Sequence, residues 1–402
     1  MKLCVVSPYP PELNGIGEYA WNVVHGLAET GHFDAITVLA QKPDRKGPQP
    51  FAAGRSNGTG HGLIETRQVW ARDEPLAAAR LARAILAAQP DAVWLNLDFM
   101  MFGDSRPANF FGLLAPLMAR PGGRPLVVTL HQILEATPPR SIGAKNGAVT
   151  HWGLRTATQL LLRSDAVCVT LRSYERTLRT RYGARNVHHI PLGAYSALEY
   201  LPYPSDDEPD DILFFGFAAP FKGLSTLLDA YSLLQQRRSN VSLTIAGTDH
   251  KRFPGYLAGL QAALRARNGT GPTHVRWLGP QTDTQLRDVF ARARVVVLPY
   301  TATTGTSSVL HRAAAVGRPV LASDLPDLRA AADEEGLLAG YVPPGDSRAL
   351  AAALEALLAD RPRQVAWAWH NLEMMRGMTL DQTCARYLEL FAGSAGAHGA
   401  LV

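Results

Sequence analysis

The chain has 402 residues, of which 47% are hydrophobic and 19% charged, with a formal net charge of +5. That length exceeds one typical core and the apolar fraction fills two, so a two-domain globular protein is expected and a disordered or fibrous chain is excluded. Cys4, Cys168 and Cys384 lack any paired spacing, which excludes a disulfide framework and a cysteine zinc site.

Cys4 and Cys168 lie in apolar runs and read as inert core residues, which fits a reducing, cytoplasmic setting. The first residues already form a strand, so no signal peptide is expected. No apolar run reaches the ~20 residues that span a bilayer. The basic excess fits an acidic ligand or peripheral contact with an anionic inner membrane face; no nucleic-acid partner is expected.

In the first half, apolar runs predict strands near 2–7, 35–40, 92–96, 125–130, 166–170 and 187–190. Helices lie between them: 18–30 carries Ala20, Val23, Val24 and Leu27 on one face, and 75–88 is rich in Ala, Leu and Arg. The aperiodic segment 43–62 reads as a mobile loop near the interdomain face. Regions 97–112 and 132–150 are expected to shape an acceptor site. Phe99, Met100, Met101, Phe102, Phe110 and Phe111 either face a lipid or hydrophobic aglycone or serve as core and lid packing. The arginines at 155, 163, 172, 176, 179, 181 and 185 read as a solvated helix face, a basic patch being the alternative.

The acidic, proline-containing stretch Tyr203–Asp211 reads as a solvated linker rather than a metal site. Beyond it, strands are predicted near 212–215, 242–246, 274–277, 294–298, 319–322 and 340–342, then helix over most of 347–391 and a frayed tail at 393–399. The alternation predicts α/β architecture with parallel sheets covered on both faces. The divisions are 1–200, a linker at 201–211, 212–375, and a C-terminal helix and tail at 376–402.

Four segments carry chemistry. In Asn14-Gly-Ile-Gly17, Gly15 and Gly17 precede a helix and let a ligand approach backbone amides; a purely structural turn is the other reading. With Ala20 they spell a dinucleotide fingerprint, but residues intervene after the strand and the following strand ends in Leu39-Ala-Gln41 without the ribose-binding acid. His131 ends an apolar run where a parallel strand emerges, the place where open sheets bind ligands. Ile212–Gly223 is a strand, a glycine turn and a helix start, with Lys222 adding a cation where amides point; a diphosphate suits it. Gly305, Thr306, Ser307 and Ser308 lead from a strand into a helix, either as an N-cap or as a second phosphate site. No P-loop, H-E-x-x-H or G-x-S-x-G motif supports hydrolase chemistry.

In order and spacing, five elements resemble the retaining glycosyltransferases of GT-B fold, the "glycosyl transferases group 1" family. They are Asn14–Gly17, Thr129-Leu-His131, His189–Gly193, Phe215-Gly-Phe217 through Lys222-Gly223, and Ala314–Asp324. The resemblance implies two Rossmann-like domains facing across a cleft, a nucleotide-diphosphate sugar as donor, and no cofactor or metal. A small-molecule, glycan or lipid-linked acceptor would bind the N-terminal domain. It gives Lys222 the donor diphosphate, Gly15 and Gly17 the opposite side of the phosphates, His131 the transferred sugar, and Leu278 and Gly279 the base. The chain departs from the pattern at Thr304 and Arg312, where most members carry glutamates, and at Phe217, where many carry arginine. Thr306, Ser307, Ser308 and His311 are expected to take over donor contacts. A sugar-nucleotide epimerase and a non-catalytic GT-B binding protein are the alternative readings, and a dinucleotide-dependent oxidoreductase a third.

Overall fold

The computed structural model describes residues 1–11, 14–43, 64–119, 124–133, 147–194, 198–205, 207–268, 274–303 and 305–399, without the side chains of 393–399. Thr304 and nearly all of the 43–62 segment lie outside the described residues, as do 134–146 of the second acceptor-site region.

The N-terminal sheet has strands β1 (Lys2–Val6), β2 (Ala35–Gln41), β3 (Ile64–Trp70), β4 (Ala92–Leu97), β5 (Leu126–Leu130), β6 (Ala166–Val169) and β7 (Val187–His189). They run parallel in the order β3-β2-β1-β4-β5-β6-β7. Helices α1 (Gly15–Glu29), α2 (Ala77–Ala88), α3 (Arg106–Met118), α4 (Ala148–Leu161) and α5 (Arg172–Tyr182) make the crossovers. Burial on both faces explains why β4 and β5 are mostly apolar rather than alternating, with Asn96 and Thr129 their only polar members.

The second sheet has β8 (Asp210–Phe215), β9 (Val241–Ala246), β10 (Val275–Leu278), β11 (Ala293–Leu298), β12 (Val320–Ser323) and β13 (Ala339–Val342), parallel in the order β10-β9-β8-β11-β12-β13. Its helices are α6 (Leu224–Gln235), α7 (Tyr256–Asn268), α8 (Asp283–Arg292), α9 (Ser308–Ala315), α10 (Pro326–Glu335), α11 (Ser347–Ala359) and α12 (Arg361–Met375). In each sheet the strand order reverses beside its first strand, between β1 and β4 and between β8 and β11. Open sheets bind ligands at the carboxyl ends flanking such a point.

Two elements escape the sequence reading. β3 is an edge strand whose Glu65 and Thr66 are exposed, so its apolar signal is weak. α3 contains Pro107, Gly112 and Pro116, which read as loop residues. Gly112 is required: a Cβ there would stand 2.4 Å from the Phe102 ring. Phe99, Met101 and Phe102 are core residues, whereas Phe111 is exposed.

The acidic stretch needs correction. Asp210 and Asp211 are not solvated linker but the buried start of β8. Asp210 pairs with Arg238 at 2.6 Å and Arg294 at 3.1 Å. Asp211 accepts from Ser242, Thr244 and Arg276 at 2.7–2.9 Å, and burial raises its pKa despite them. All three cysteines are free and buried, and burial pushes the Cys4 thiol up to about 12.

The last helix, α13 (Leu380–Gly399), crosses back to the N-terminal half, and its backbone stays helical where the sequence predicts a frayed tail. Tyr387 joins a buried relay: Trp94 Nε1 donates to Thr129 Oγ1 at 2.9 Å, Thr129 lies 2.7 Å from the Tyr387 hydroxyl, and that hydroxyl lies 2.9 Å from Tyr19. Gly26 lets α1 approach α13, since a Cβ there would be 2.6 Å from Cys384 Sγ.

Arg318, fully buried, fastens the connection between the halves. Its guanidinium donates to the carbonyls of Phe290, Ala291, Leu201, Pro202 and Gly317 at 2.7–2.9 Å. Burial lowers its pKa to about 10, still far above neutrality, so it stays charged. A lysine cannot reproduce this planar fork and leaves buried carbonyls unpaired. Arg318→Lys should therefore cost on the order of 3 kcal/mol of stability. Urea denaturation measures this, and an unchanged midpoint would refute the role.

Candidate active site

The two switch points face each other. On the N-terminal side, Ser7 follows β1, Asn96 lies near the end of β4, and His131 follows β5. Asn96 Nδ2 donates to Ser7 Oγ and to the Ile16 carbonyl, both at 3.0 Å. Its Oδ1 is therefore the acceptor facing His131 Nε2 at 2.6 Å. That network puts the imidazole proton on Nε2 and leaves Nδ1 able to accept. Tyr19 packs edge-on against the ring at 4.8 Å. Burial lowers the His131 pKa to about 4, so the imidazole is neutral at physiological pH.

The glycine loop behaves unequally. Asn14 caps α1, its Oδ1 accepting from Gly17 N at 2.6 Å. Gly17 is buried and its amide is already used; its smallness serves packing, since a Cβ would be 3.2 Å from the Pro8 carbonyl. Gly15 is exposed with open space around it and remains approachable.

On the C-terminal side, the loops after β8, β9 and β10 stack flush. A Cβ on Gly247 would stand 2.0 Å from the Gly216 carbonyl. Gly247 N lies 3.1 Å and 3.3 Å from the carbonyls of Leu278 and Gly279, tying the loop after β10 to this edge. Phe217 is partly buried just after β8. A single 3₁₀ turn, Pro220–Lys222, leads into Gly223, whose positive φ and a Cβ that would be 1.7 Å from the Pro299 carbonyl both demand glycine. Lys222 Nζ lies 3.8 Å from the centre of the Tyr300 ring. Helices α6 and α9 both begin here without a side-chain cap, leaving their first amides unclaimed by protein side chains.

Sequence reasoning missed His250, which packs with Phe221 and Phe253 beside this turn; burial, with Arg252, Lys251 and Lys222, lowers its pKa to about 4. It also missed Asn96, although a lone polar residue inside an apolar strand was a visible signal. Thr306 and Ser308 are partly exposed at the start of α9. Ser307 is buried, with Tyr300 Oη 3.4 Å from its hydroxyl.

His311 is tied within the C-terminal half. Its Nδ1 lies 3.0 Å from the Ser307 carbonyl and its Nε2 2.6 Å from Glu335, with both side chains buried. Burial alone would lower its pKa, but the Glu335 carboxylate outweighs that and holds it above the usual value. Arg312 is likewise committed: it pairs with Glu18 at the start of α1, across the seam.

Several contacts among the described residues close that seam. Besides Glu18–Arg312, Glu334 of α10 accepts from the amides of Arg172 at 2.6 Å and Ser173 at 2.8 Å, at the start of α5. Gly305, at φ +101°, abuts the His131 carbonyl so closely that a Cβ would stand 2.2 Å from it. The Gly305 amide is held by buried Asp327 at 3.0 Å. Among the described residues no helix is long and apolar enough to cross a membrane.

Two family models match: "Glycosyl transferase 4-like domain" over residues 14–193 and "Glycosyl transferases group 1" over 209–360. The chain belongs to the glycosyl transferases group 1 family. The phosphatidyl-myo-inositol mannosyltransferase of Mycobacterium leprae is 36% identical over 159 residues, 39% of this chain and 40% of that protein. Its namesake from Mycolicibacterium smegmatis is 27% identical over 187 residues, 46% of each chain. The chain thus spans under half the length of these relatives. Solved structures show the GT-B fold over nearly the whole chain. Sucrose-phosphate synthase from Thermosynechococcus elongatus has a TM-score of 0.74 at 19% identity, covering 99% of this chain and 100% of that one. Anabaena Alr3699/HepE in complex with UDP and glucose has a TM-score of 0.67 at 18% identity, covering 97% and 99%.

Two outcomes test this geometry. The His131 imidazole should titrate near pH 4 rather than 6.5 by NMR. Between those values the unfolded chain binds a proton that the folded one refuses, so its contribution to stability is full above 6.5 and falls as pH drops. A His131 titration at 6.5 would refute the buried neutral ring. Gly305→Ala should leave both domains folded but hold the seam apart, read as a larger radius of gyration by small-angle scattering. An unchanged radius would refute the contact.

Proposed function

We propose that the protein transfers a hexose from a nucleotide-diphosphate sugar to an acceptor hydroxyl, with retention at the anomeric carbon and without a metal ion. One observation carries the reading: the Lys222 ammonium stands beside two uncapped helix starts, across the seam from a neutral histidine. That is an anion site facing a hydrogen-bonding group, at both switch points at once. The UDP and UDP-glucose held by the Anabaena protein support it, as does the mannosyltransferase activity for which the mycobacterial relatives are named.

In the proposed step the bond from the anomeric carbon to the diphosphate oxygen breaks, and its electron pair leaves with the diphosphate. Lys222 and the amides opening α6 and α9 stabilise the developing charge. The acceptor oxygen forms the new bond on the same face, and its proton passes to the departing phosphate oxygen. His131, neutral and held by Asn96, accepts a hydrogen bond at Nδ1 from a hydroxyl of the transferred sugar. The closed seam keeps water from the donor. The acceptor is a small molecule, glycan or lipid-linked species on the N-terminal side, and the protein works in the cytoplasm with peripheral membrane contact.

The non-catalytic alternative draws on one observation, that Arg312 stands where most members have glutamate and is tied to Glu18. An epimerase would instead release an altered sugar without any acceptor.

Lys222→Ala should lower turnover about 10²–10³-fold, the size of one lost charge-stabilising donor, with an unchanged melting temperature. Donor consumption followed by NMR checks this. Equal turnover by the folded variant sinks the assignment, and donor binding without consumption in any acceptor mixture favours the non-catalytic reading.

A further inference from the structure

A cavity of about 290 Å³ lies between α3 and α4, outside the donor site. Its walls are largely apolar: Met100, Phe110, Phe111, Leu113, Val149 and Trp152. Apolar side chains also spill from its mouth, with Phe111 52%, Val149 62% and Trp152 69% exposed. Adjoining aromatic exposure of this kind marks a binding surface rather than a folding requirement.

The position ties it to the reaction. The N-terminal ends of α3 and α4 sit at the carboxyl edges of β4 and β5, the same edge that presents Asn96 and His131. Asp98 Oδ1 accepts from the Met100 amide at 2.8 Å and from Gln132 Nε2 at 3.2 Å, so the cavity wall and the residue after His131 share one carboxylate. Asn109 bonds Phe99 and Phe102 of the preceding loop, which makes that wall rigid.

Charge says what the occupant looks like. Asp104 at the mouth is neutralised by Arg72 at 3.1 Å. Arg106 lines the mouth and uses only Nε, toward Thr150 at 3.1 Å; it has no carboxylate partner among the described residues. Arg155, exposed three residues after Trp152 and so on the same helix face, has none either. An apolar hole beneath unneutralised guanidinium groups complements an amphiphile with an anionic head. The volume stands at the lower end of small-ligand sites, roughly 300–1,000 Å³, which suits one chain rather than a whole bilayer lipid.

We propose that this cavity holds the alkyl chain of an acceptor with an anionic head, placing its hydroxyl toward His131. This rests on the transferase reading and names the acceptor class. The test is calorimetric titration of the full chain with dodecyl phosphate below its micellar concentration, with dodecyl maltoside as the uncharged control. One dodecyl phosphate should bind per chain. Affinity should fall at least about tenfold when Phe111→Ser and Trp152→Ser are combined, because the alkyl chain then buries less apolar area. Arg106→Gln should remove the preference for the anionic head. Both variants alter side chains at the cavity mouth and should bind nucleotide sugars as the parent does.

No binding, or equal binding by the variants, overturns the proposal. So does binding confined to phosphatidylglycerol vesicles, which would make the patch a membrane contact. Nucleotide-sugar turnover without amphiphile binding refutes the cavity's role and spares the transferase reading. Amphiphile binding without turnover of any donor refutes the transferase reading and leaves a lipid site.

Discussion

The closed form of this protein depends on one missing atom. Gly305 meets the His131 carbonyl at a distance no side chain tolerates, so the two carboxyl edges come together only because position 305 has no Cβ. Everything chemical in the cleft follows from that proximity. His131 follows a strand of the first sheet and Lys222 follows one of the second, so neither half alone presents both. Asp327 holds the Gly305 amide from within the C-terminal half, so the glycine arrives already oriented. The Glu18–Arg312 and Glu334–α5 contacts then add charge complementarity to a fit that sterics define.

Buried charge is concentrated on the structural side of this design. Arg318, Asp210, Asp211 and the His311–Glu335 pair all lie inside the C-terminal half or its connection. Each is surrounded by partners, as burial of a charge requires. They tie loops and strand ends that would otherwise be free to shift beneath the donor loops. Lys222 differs, since its ammonium rests against the Tyr300 and Phe221 rings and not against a carboxylate among the described residues. A cation resting on aromatic faces keeps its charge available to an incoming anion, whereas one in a salt bridge would first have to break it.

Much of the architecture was legible because buried parallel strands announce themselves. β1, β4, β5, β8 and β11 are largely apolar runs, and Lys222, His131 and the 305–308 loop all follow their carboxyl ends. The errors have physical causes. β3 is half-solvated and so carries a polar strand's pattern. α3 includes two prolines and a glycine that tertiary packing, not propensity, makes acceptable. Asp210 and Asp211 read as solvated because a sequence does not show that Arg238, Arg276 and Arg294 converge on them from a loop and two other strands. The partner of His311 was not legible either, because its ring faces a carboxylate 24 residues onward, on α10. The return of α13 to the first domain was equally invisible, since Tyr387 finds Tyr19 only through the fold.

Arg312 shows how a single replacement reorganises a site. A glutamate at this position would offer a carboxylate to ligand hydroxyls; an arginine offers only donors. Left unpaired, that guanidinium would strengthen the cleft's positive field. Glu18 absorbs it. The pair makes a contact between the two halves instead. Phe217 extends the same logic, because an apolar ring stands where many relatives place a second cation. On the proposed reading, Lys222 and backbone amides are left to meet a diphosphate, and such groups are indifferent to the sugar attached. On that same reading, selectivity among sugars falls to the N-terminal edge, where Asn96 fixes the imidazole tautomer.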